Sequence, residues 1–400
     1  MTRPESPPLP RFLGVYYAYV FLFDFMLCYA VYTALFQLRG LSVTEIGVLL
    51  AFWSASAIVL ELPSGALSDH FDRRWLLAAA PLVKALTFVC WGFANGNFWL
   101  YGLGFLCWSA GQALYSGTKE ALLYERMEAA GREADYDKAV GRDSAAESIG
   151  IGAGALIGGF VAVLGMDWTI WLSIPPLLLG ALLAIQLADL RRSPGGDDDE
   201  APTGSYFDHF REALTEFRTR ADLRFVATYI AVGMILFEVL EEFDQLYFVA
   251  VNLPVWIWGI AAALVLLGNA GASVAAHRLA HIGWLAWLLP LAGGALLVVA
   301  SLGTHPALVI PLSLAYVVIA PVNVLAHARF QQVMEGGSRA TTTSALVVMQ
   351  NITGILVTLG FGFLADAVGI LPAYGWAGLA MVPIAVWVFW RQRQGLSAIA

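Results

Sequence analysis

Long apolar runs separated by short polar breaks recur along the whole chain. A helix needs about 20 apolar residues to cross a bilayer core, at about 1.5 Å per residue. Twelve runs meet that length, near 12–38, 44–68, 75–95, 98–124, 143–165, 168–190, 223–251, 254–277, 282–303, 306–330, 342–366 and 369–391. The breaks alternate in kind. Those after the odd-numbered runs are tight and almost uncharged, as at Asn95-Gly96-Asn97, Met166-Asp167 and Asn252-Leu253. Those after runs 2, 4, 6, 8 and 10 carry arginine. Because basic loops stay on the cytoplasmic side, this alternation predicts that both termini are cytoplasmic. All the basic residues except Arg39, Lys84 and Lys119 then fall on that face or at its interface.

Composition agrees. The chain has 400 residues, 59% hydrophobic and 13% charged, where a soluble domain carries about 25% charged residues. The net charge of −8 identifies no partner, since a membrane protein distributes its charges by side. Cys28, Cys90 and Cys107 each lie inside an apolar run, so neither a disulfide framework nor a thiolate metal site is expected. The polar, Pro-rich start Met1 to Arg11 does not read as a cleavable signal. No nucleotide-binding loop, soluble catalytic domain or nucleophile–base constellation is present. The expectation is a non-enzyme without cofactor, metal or nucleic-acid partner. Arginine far outnumbers lysine, and Ala and Gly are abundant, which suggests a GC-rich bacterial source.

A polar stretch divides the runs six and six. The expected organisation is an N-terminal half over 1–190, a cytoplasmic linker over 191–222 and a C-terminal half over 223–400. The linker opens on Gly and Asp residues. It then places Phe207, Phe210, Leu214 and Phe217 at helical spacing, as an amphipathic helix on the cytoplasmic face would.

Ionisable groups at bilayer depth are costly and mark function. Asp24 lies in the middle of run 1 and is the foremost candidate for exchanging a proton. Glu61 and Lys84 lie at matching depth, roughly 12–15 Å from the cytoplasmic ends of runs 2 and 3, and an ion pair between them is expected. Run 7 carries Glu238, Glu241, Glu242 and Asp244. Glu238, Glu241, Glu242 and Gln245 share one helical face. One cation cannot neutralise these acids, so they either hold protons or face water and attract cations. Tyr17 and Phe21 could line a cavity from run 1, where ring faces attract cations. Asn323 and His327, one turn apart in run 10, could line it from the other half or form a packed, hydrogen-bonded pair.

Between runs 2 and 3 the chain reads Gly65-Ala66-Leu67-Ser68-Asp69-His70-Phe71-Asp72-Arg73-Arg74. This resembles the helix 2–3 loop of the major facilitator superfamily of secondary transporters, with Gly65, Leu67, Asp69, Arg73 and Arg74 on the family positions and Asp72 in place of a glycine. The resemblance implies a cytoplasmic gate. Asp69 would accept from the start of helix 11, Ser338 to Thr343, and Arg73 would reach Asp69 and Glu125. Gly141, Gly150, Gly154, Gly158 and Gly159 of run 5 resemble the glycine motif of the family's antiporters, with Ala155 replacing its proline. Ser116 to Glu125, with Glu61 to Gly65, resembles a bacterial drug-efflux-type subgroup.

The fold implied is an all-α membrane protein, with twelve transmembrane helices in two pseudo-symmetric six-helix halves. The implied function is proton-coupled export of a small, cationic or amphipathic molecule by a monomer in the bacterial inner membrane. Uptake symport or uniport on the same fold is the alternative, and a non-transporting receptor a more distant one.

Overall fold

A computed structural model describes residues 8–187, 219–334 and 339–394, without the side chains of 62–70, 339–341 and 344. The linker helix expected over 207–218 lies outside the described residues, as does the side chain of Asp69. Everything described is helical or a short connection. The α-helices are α1 (Leu9–Asp24), α2 (Tyr32–Leu38), α3 (Val43–His70), α4 (Arg73–Ala94), α5 (Phe98–Ala129), α6 (Tyr136–Val161), α7 (Met166–Leu172) and α8 (Ile174–Ala184). Then follow α9 (Ala221–Thr228), α10 (Ile235–Ala250), α11 (Val255–Leu279), α12 (Leu285–Ala300), α13 (Val309–Val333), α14 (Arg339–Val368), α15 (Ile370–Leu379) and α16 (Met381–Arg393). Among the described residues, nine helical stretches are long and apolar enough to cross a membrane, and Leu285–Ala300 is a shorter apolar one.

The chain forms two compact units. The first comprises 1–41, 52–199 and 255–262, and the second 42–51, 200–254 and 263–400. The first turns of α3 therefore belong to the second unit, and the first turns of α11 to the first.

In the first unit, run 1 is not one helix. α1 stops at Asp24, a 3₁₀ turn follows over Leu27–Ala30, and α2 completes the span. No proline or glycine lies between Phe21 and Tyr32, so the cause is tertiary. The glycines of α6 lie against the broken segment. A Cβ at Gly150 would sit 2.6 Å from the Phe21 carbonyl oxygen, one at Gly154 would sit 2.7 Å from Met26 N, and one at Gly158 would collide with the Leu27 carbonyl. Glycine is required there because backbone meets backbone. Gly141, which shares the motif's spacing, has nothing within 4 Å of its would-be Cβ. Ser173, where α7 gives way to α8, ties the break to that neighbour by accepting from Cys28 N at 3.2 Å. Run 6 divides at Ser173 because Pro175 and Pro176 withhold two backbone donors.

α4 and α5 form a hairpin. Asn95 adopts φ 44° and Gly96 φ 88°, and Asn97 caps α5 by accepting from Trp99 N and Leu100 N at 3.0 and 3.2 Å. Between the two helices Trp91 is fully buried. It stacks on Tyr32 and meets Phe36 and Phe105 edge-on, each at 4.9 Å. α5 runs on past residue 124 to Ala129, and α6 starts at Tyr136, seven residues before its apolar run. The apolar pattern ends where the expected membrane ends, but the helical hydrogen-bond ladder continues past it.

In the second unit, α9 passes into α10 through a π-helical stretch over Tyr229–Met234, a feature that often marks functional sites. Buried tyrosines pin the bundle by donating to free carbonyls: Tyr229 to Ala286 at 2.8 Å, and Tyr247 to Ala300 and Leu308 at 2.8 and 3.0 Å. Run 12 divides into α15 and α16 at Ala380, close to Pro383.

Replacing Gly158 by valine should therefore lower the melting temperature in detergent, by the equivalent of about 1–3 kcal/mol for overpacking or more if the break in α1 is lost. Gly117→Ala, with open space around it, should be neutral or stabilising by up to about 1 kcal/mol. Equal melting shifts for the two variants would contradict this packing account.

Candidate functional site

Where α1 stops, the Phe23 carbonyl is left without its usual helical partner. The Lys84 ammonium, fully buried, donates to it at 3.3 Å, to Asp24 Oδ1 at 3.0 Å and to Gln112 Oε1 at 3.5 Å. It also lies 3.9 Å from the Phe23 ring centre and 5.2 Å from that of Trp108. A buried lysine must satisfy its charge and its N–H donors together, and this cage does both. Asp24 Oδ2 is buried with no hydrogen-bond partner. The ion pair expected between Glu61 and Lys84 is thus replaced by one between Asp24 and Lys84. Matching depth along two helices does not fix which way their side chains point, and Glu61 is exposed.

A second charge centre in this unit was not expected from the sequence. Lys119 on α5 bonds Asp143 at 2.8 Å and Glu147 at 3.1 Å, two acids one turn apart on α6. Lys119 and Asp143 are buried, whereas 37% of the Glu147 side chain is exposed. Phe23 and Tyr115 stack with centroids 3.8 Å apart and planes within 7°. Lys84 lies on the first ring and Lys119 is 4.7 Å from the centre of the second, so the stacked pair bridges the two centres. The available signals were the Asp143–Glu147 spacing of four just before the glycines, and a lysine inside an apolar run.

At the end of α3 the residues expected to form a gate are only partly in view. Arg73 is buried and pairs with Glu125 of α5. Asp72 caps α4 by accepting from Arg74 N at 2.9 Å, and it pairs with the Arg74 guanidinium at 3.2 Å. An acid in place of the family's glycine therefore serves as the helix N-cap. Tyr17 donates to the Ala139 carbonyl at 3.4 Å, and Phe21 stacks on Phe25. Gly159 approaches the backbone at Gly259.

The second unit holds the acids of run 7 on α10. Asp244 Oδ1 accepts from two buried phenols, Tyr316 at 2.5 Å and Tyr374 at 2.8 Å, and Tyr374 also donates to the Leu240 carbonyl at 3.0 Å. Glu238 lies within hydrogen-bond reach of the Asn323 side chain and close to His327, whose ring contacts the Asn323 carbonyl at 2.9 Å. The structure thereby gathers Glu238, Asn323 and His327 at one place. Glu238 and Glu241 are exposed along a 30-residue apolar span. No lysine or arginine among the described ion pairs joins Glu238, Glu241 or Asp244. Sequence reading missed Tyr316 and Tyr374, since a tyrosine in an apolar run gives no sign of its hydroxyl's partner.

The Major Facilitator Superfamily family model matches residues 13–358. The chain belongs to the major facilitator superfamily. Solved structures of this superfamily's fold cover nearly the whole chain. A single-substitution variant of the nucleoside transporter NupG superposes with a TM-score of 0.76 at 14% identity, covering 96% of this chain and 99% of that one. A bacterial homologue of the human lysosomal transporter Spinster, in an inward-facing and unoccupied conformation, gives 0.70 at 15% identity, with 97% and 96% covered. A POT family transporter gives 0.66 at 14% identity, with 96% of each chain covered. No curated relative matches the sequence. Family and fold make this superfamily member a multi-pass membrane transporter.

Breaking the buried pair in this transporter should be costly while removing it whole should not. Asp24→Asn or Lys84→Met alone is expected to cost about 3–5 kcal/mol, and the double variant much less than their sum. Thermal melts of the three variants decide. Additive losses would mean that the two groups do not act as a pair.

Proposed function

We propose that this transporter couples substrate movement to protons and exports a small cationic or amphipathic molecule. The observation that carries the reading is the contrast between the two units. In the first, Asp24 and Asp143 each have a buried lysine. In the second, Glu238, Glu241 and Asp244 sit in an apolar span without a basic partner in the described ion pairs. Acids at such depth need a proton or a bound cation to offset their charge. An acid that can take either is what exchange of protons for a cationic substrate requires. Asp244 is built for this: two phenols fix one carboxylate oxygen and leave the other to carry a proton. Glu147 adds a third kind of group. Fully ionised, Asp24, Asp143 and Glu147 exceed Lys84 and Lys119 by one negative charge, and Glu147 is the member open to water.

Export rests on the resemblance of Gly150, Gly154, Gly158 and Gly159 to the antiporter motif. Ala155 in place of its proline keeps a second reading open, uptake by symport or uniport on the same fold. Both readings place the protein as a monomer in a bacterial inner membrane with cytoplasmic termini, and Gly65, Asp69, Arg73, Arg74 and Glu125 as its inner gate.

Proteoliposomes with an imposed pH gradient separate the readings, with the fluorescent cation ethidium as first probe. An antiporter should accumulate it on the acidic side, and a symporter should carry its substrate toward the alkaline side. In Asp244→Asn and Glu241→Gln the gradient-driven component should fall about tenfold, within the ~5–150-fold range of ordinary coupling energies. Transport that ignores the gradient in the parent protein would sink proton coupling. Full gradient response in both variants would remove these acids from it.

A further inference from the structure

We propose that Asp366 is the latch of a second gate, at the end of the membrane opposite the Gly65–Arg74 loop, and that it is the reciprocal counterpart of Asp69. α3 ends on Gly65-Ala66-Leu67-Ser68-Asp69, and α14 ends on Gly362-Phe363-Leu364-Ala365-Asp366. The spacing Gly-x-Leu-x-Asp is the same, and each aspartate stands in the last turn of its helix.

The second pentad is described in full. Asp366 Oδ1 accepts from Val43 N at 3.0 Å and Oδ2 from Thr44 N at 2.8 Å, the first two donors of α3. A helix start leaves four N–H groups unpaired and carries partial positive charge, so a carboxylate there makes charge-assisted bonds. The rest of this helix start is satisfied locally. Ser42 Oγ accepts from Glu45 N at 3.1 Å, Glu45 Oε2 accepts from Ser42 N at 2.8 Å, and Ile46 N donates to the Ser42 carbonyl at 3.1 Å. The Val43 and Thr44 N–H groups take their partner from 323 and 322 residues away.

Glycine permits the approach. Thr44 Oγ1 donates to the Gly362 carbonyl at 3.4 Å, and a Cβ at Gly362 would lie 3.1 Å from the Val43 carbonyl oxygen. One at Gly47 would lie 3.1 Å from the Thr358 carbonyl oxygen. All of these contacts lie inside the second unit, to which residues 42–51 belong, while α3 continues beyond Ala51 as part of the first.

α3 and α14 run in opposite directions between the two faces expected from the arginine distribution. By family resemblance Asp69 would close on the start of α14, the eleventh spanning helix, at the inner face. Asp366 closes on the start of α3 at the outer one. Each helix would then end in an acid able to cap the start of the other. A carrier that opens its two sides in turn needs only one of these caps made at a time. Val43 and Thr44 stand at a helix end, where water can replace the carboxylate when the latch releases. This inference rests on membership of the superfamily and not on proton coupling or export.

The test needs no substrate. A reporter cysteine, Thr358→Cys, stands at a buried position beside Gly47. Its labelling rate by a hydrophilic maleimide is measured in lipid nanodiscs, where reagent reaches both faces, with the native cysteines' labelling subtracted. Asp366→Ala should raise the rate about tenfold, equivalent to about 1.4 kcal/mol. Asp366→Asn, which keeps the shape and one accepting oxygen, should raise it less and retain the parent melting temperature. Glu45→Ala frees the local cap of the same helix end without touching the carboxylate, and it should leave the rate unchanged. An unchanged rate in Asp366→Ala overturns the latch. So does an equal rise in Glu45→Ala, which would mean that the end of α3 simply frays.

Discussion

A single ammonium group organises the first unit. Lys84 holds the Asp24 carboxylate, the Phe23 carbonyl released by the end of α1, and two aromatic faces. A charge fully removed from water demands every one of these partners, and supplying them fixes where α1 must stop. The break in turn sets the path of Phe21 to Leu27, and that path needs Gly150, Gly154 and Gly158 on α6 to let backbone meet backbone. Asp143 and Glu147 ride on the same helix and hold Lys119, whose ring partner Tyr115 stacks on Phe23. Charge, helix break and glycine stripe form one mechanical object.

The second unit solves the opposite problem. No lysine or arginine joins Glu238, Glu241 or Asp244 in the described ion pairs, and Asp244 is held instead by phenol donors from α13 and α15. Neutral donors can hold a carboxylate in place without cancelling its charge. In the proposed reading, these donors would keep the carboxylate in place as a proton or cation comes and goes.

The sequence was legible where the physics is local. Run lengths, the alternation of arginine between breaks and the Gly65–Arg74 pattern gave an all-α membrane protein of this superfamily. Helix boundaries failed where helices leave the bilayer, as at Ala129 and Tyr136, because hydropathy reports the membrane and not the backbone hydrogen bonds. The partner of Lys84 was misjudged because rise along a helix gives depth but not azimuth. The break at Asp24 left no local mark, since its cause lies on α6 and α4. Asp143, Glu147, Tyr316 and Tyr374 were passed over for the same reason: each matters through a residue far away in the chain.

The scarcity of lysine has a practical side. The protein has Lys84, Lys119 and Lys138 and no others. Two of them are committed to buried carboxylates, whereas the Lys138 side chain is 76% exposed. Apart from the chain's own amino terminus, an amine-reactive dye would thus find a single open target, just before α6 enters its apolar stretch. The unaltered protein carries a natural attachment point for a fluorophore on the helix that bears Asp143, Glu147 and the glycine stripe, so motion of that helix could be followed without an engineered cysteine.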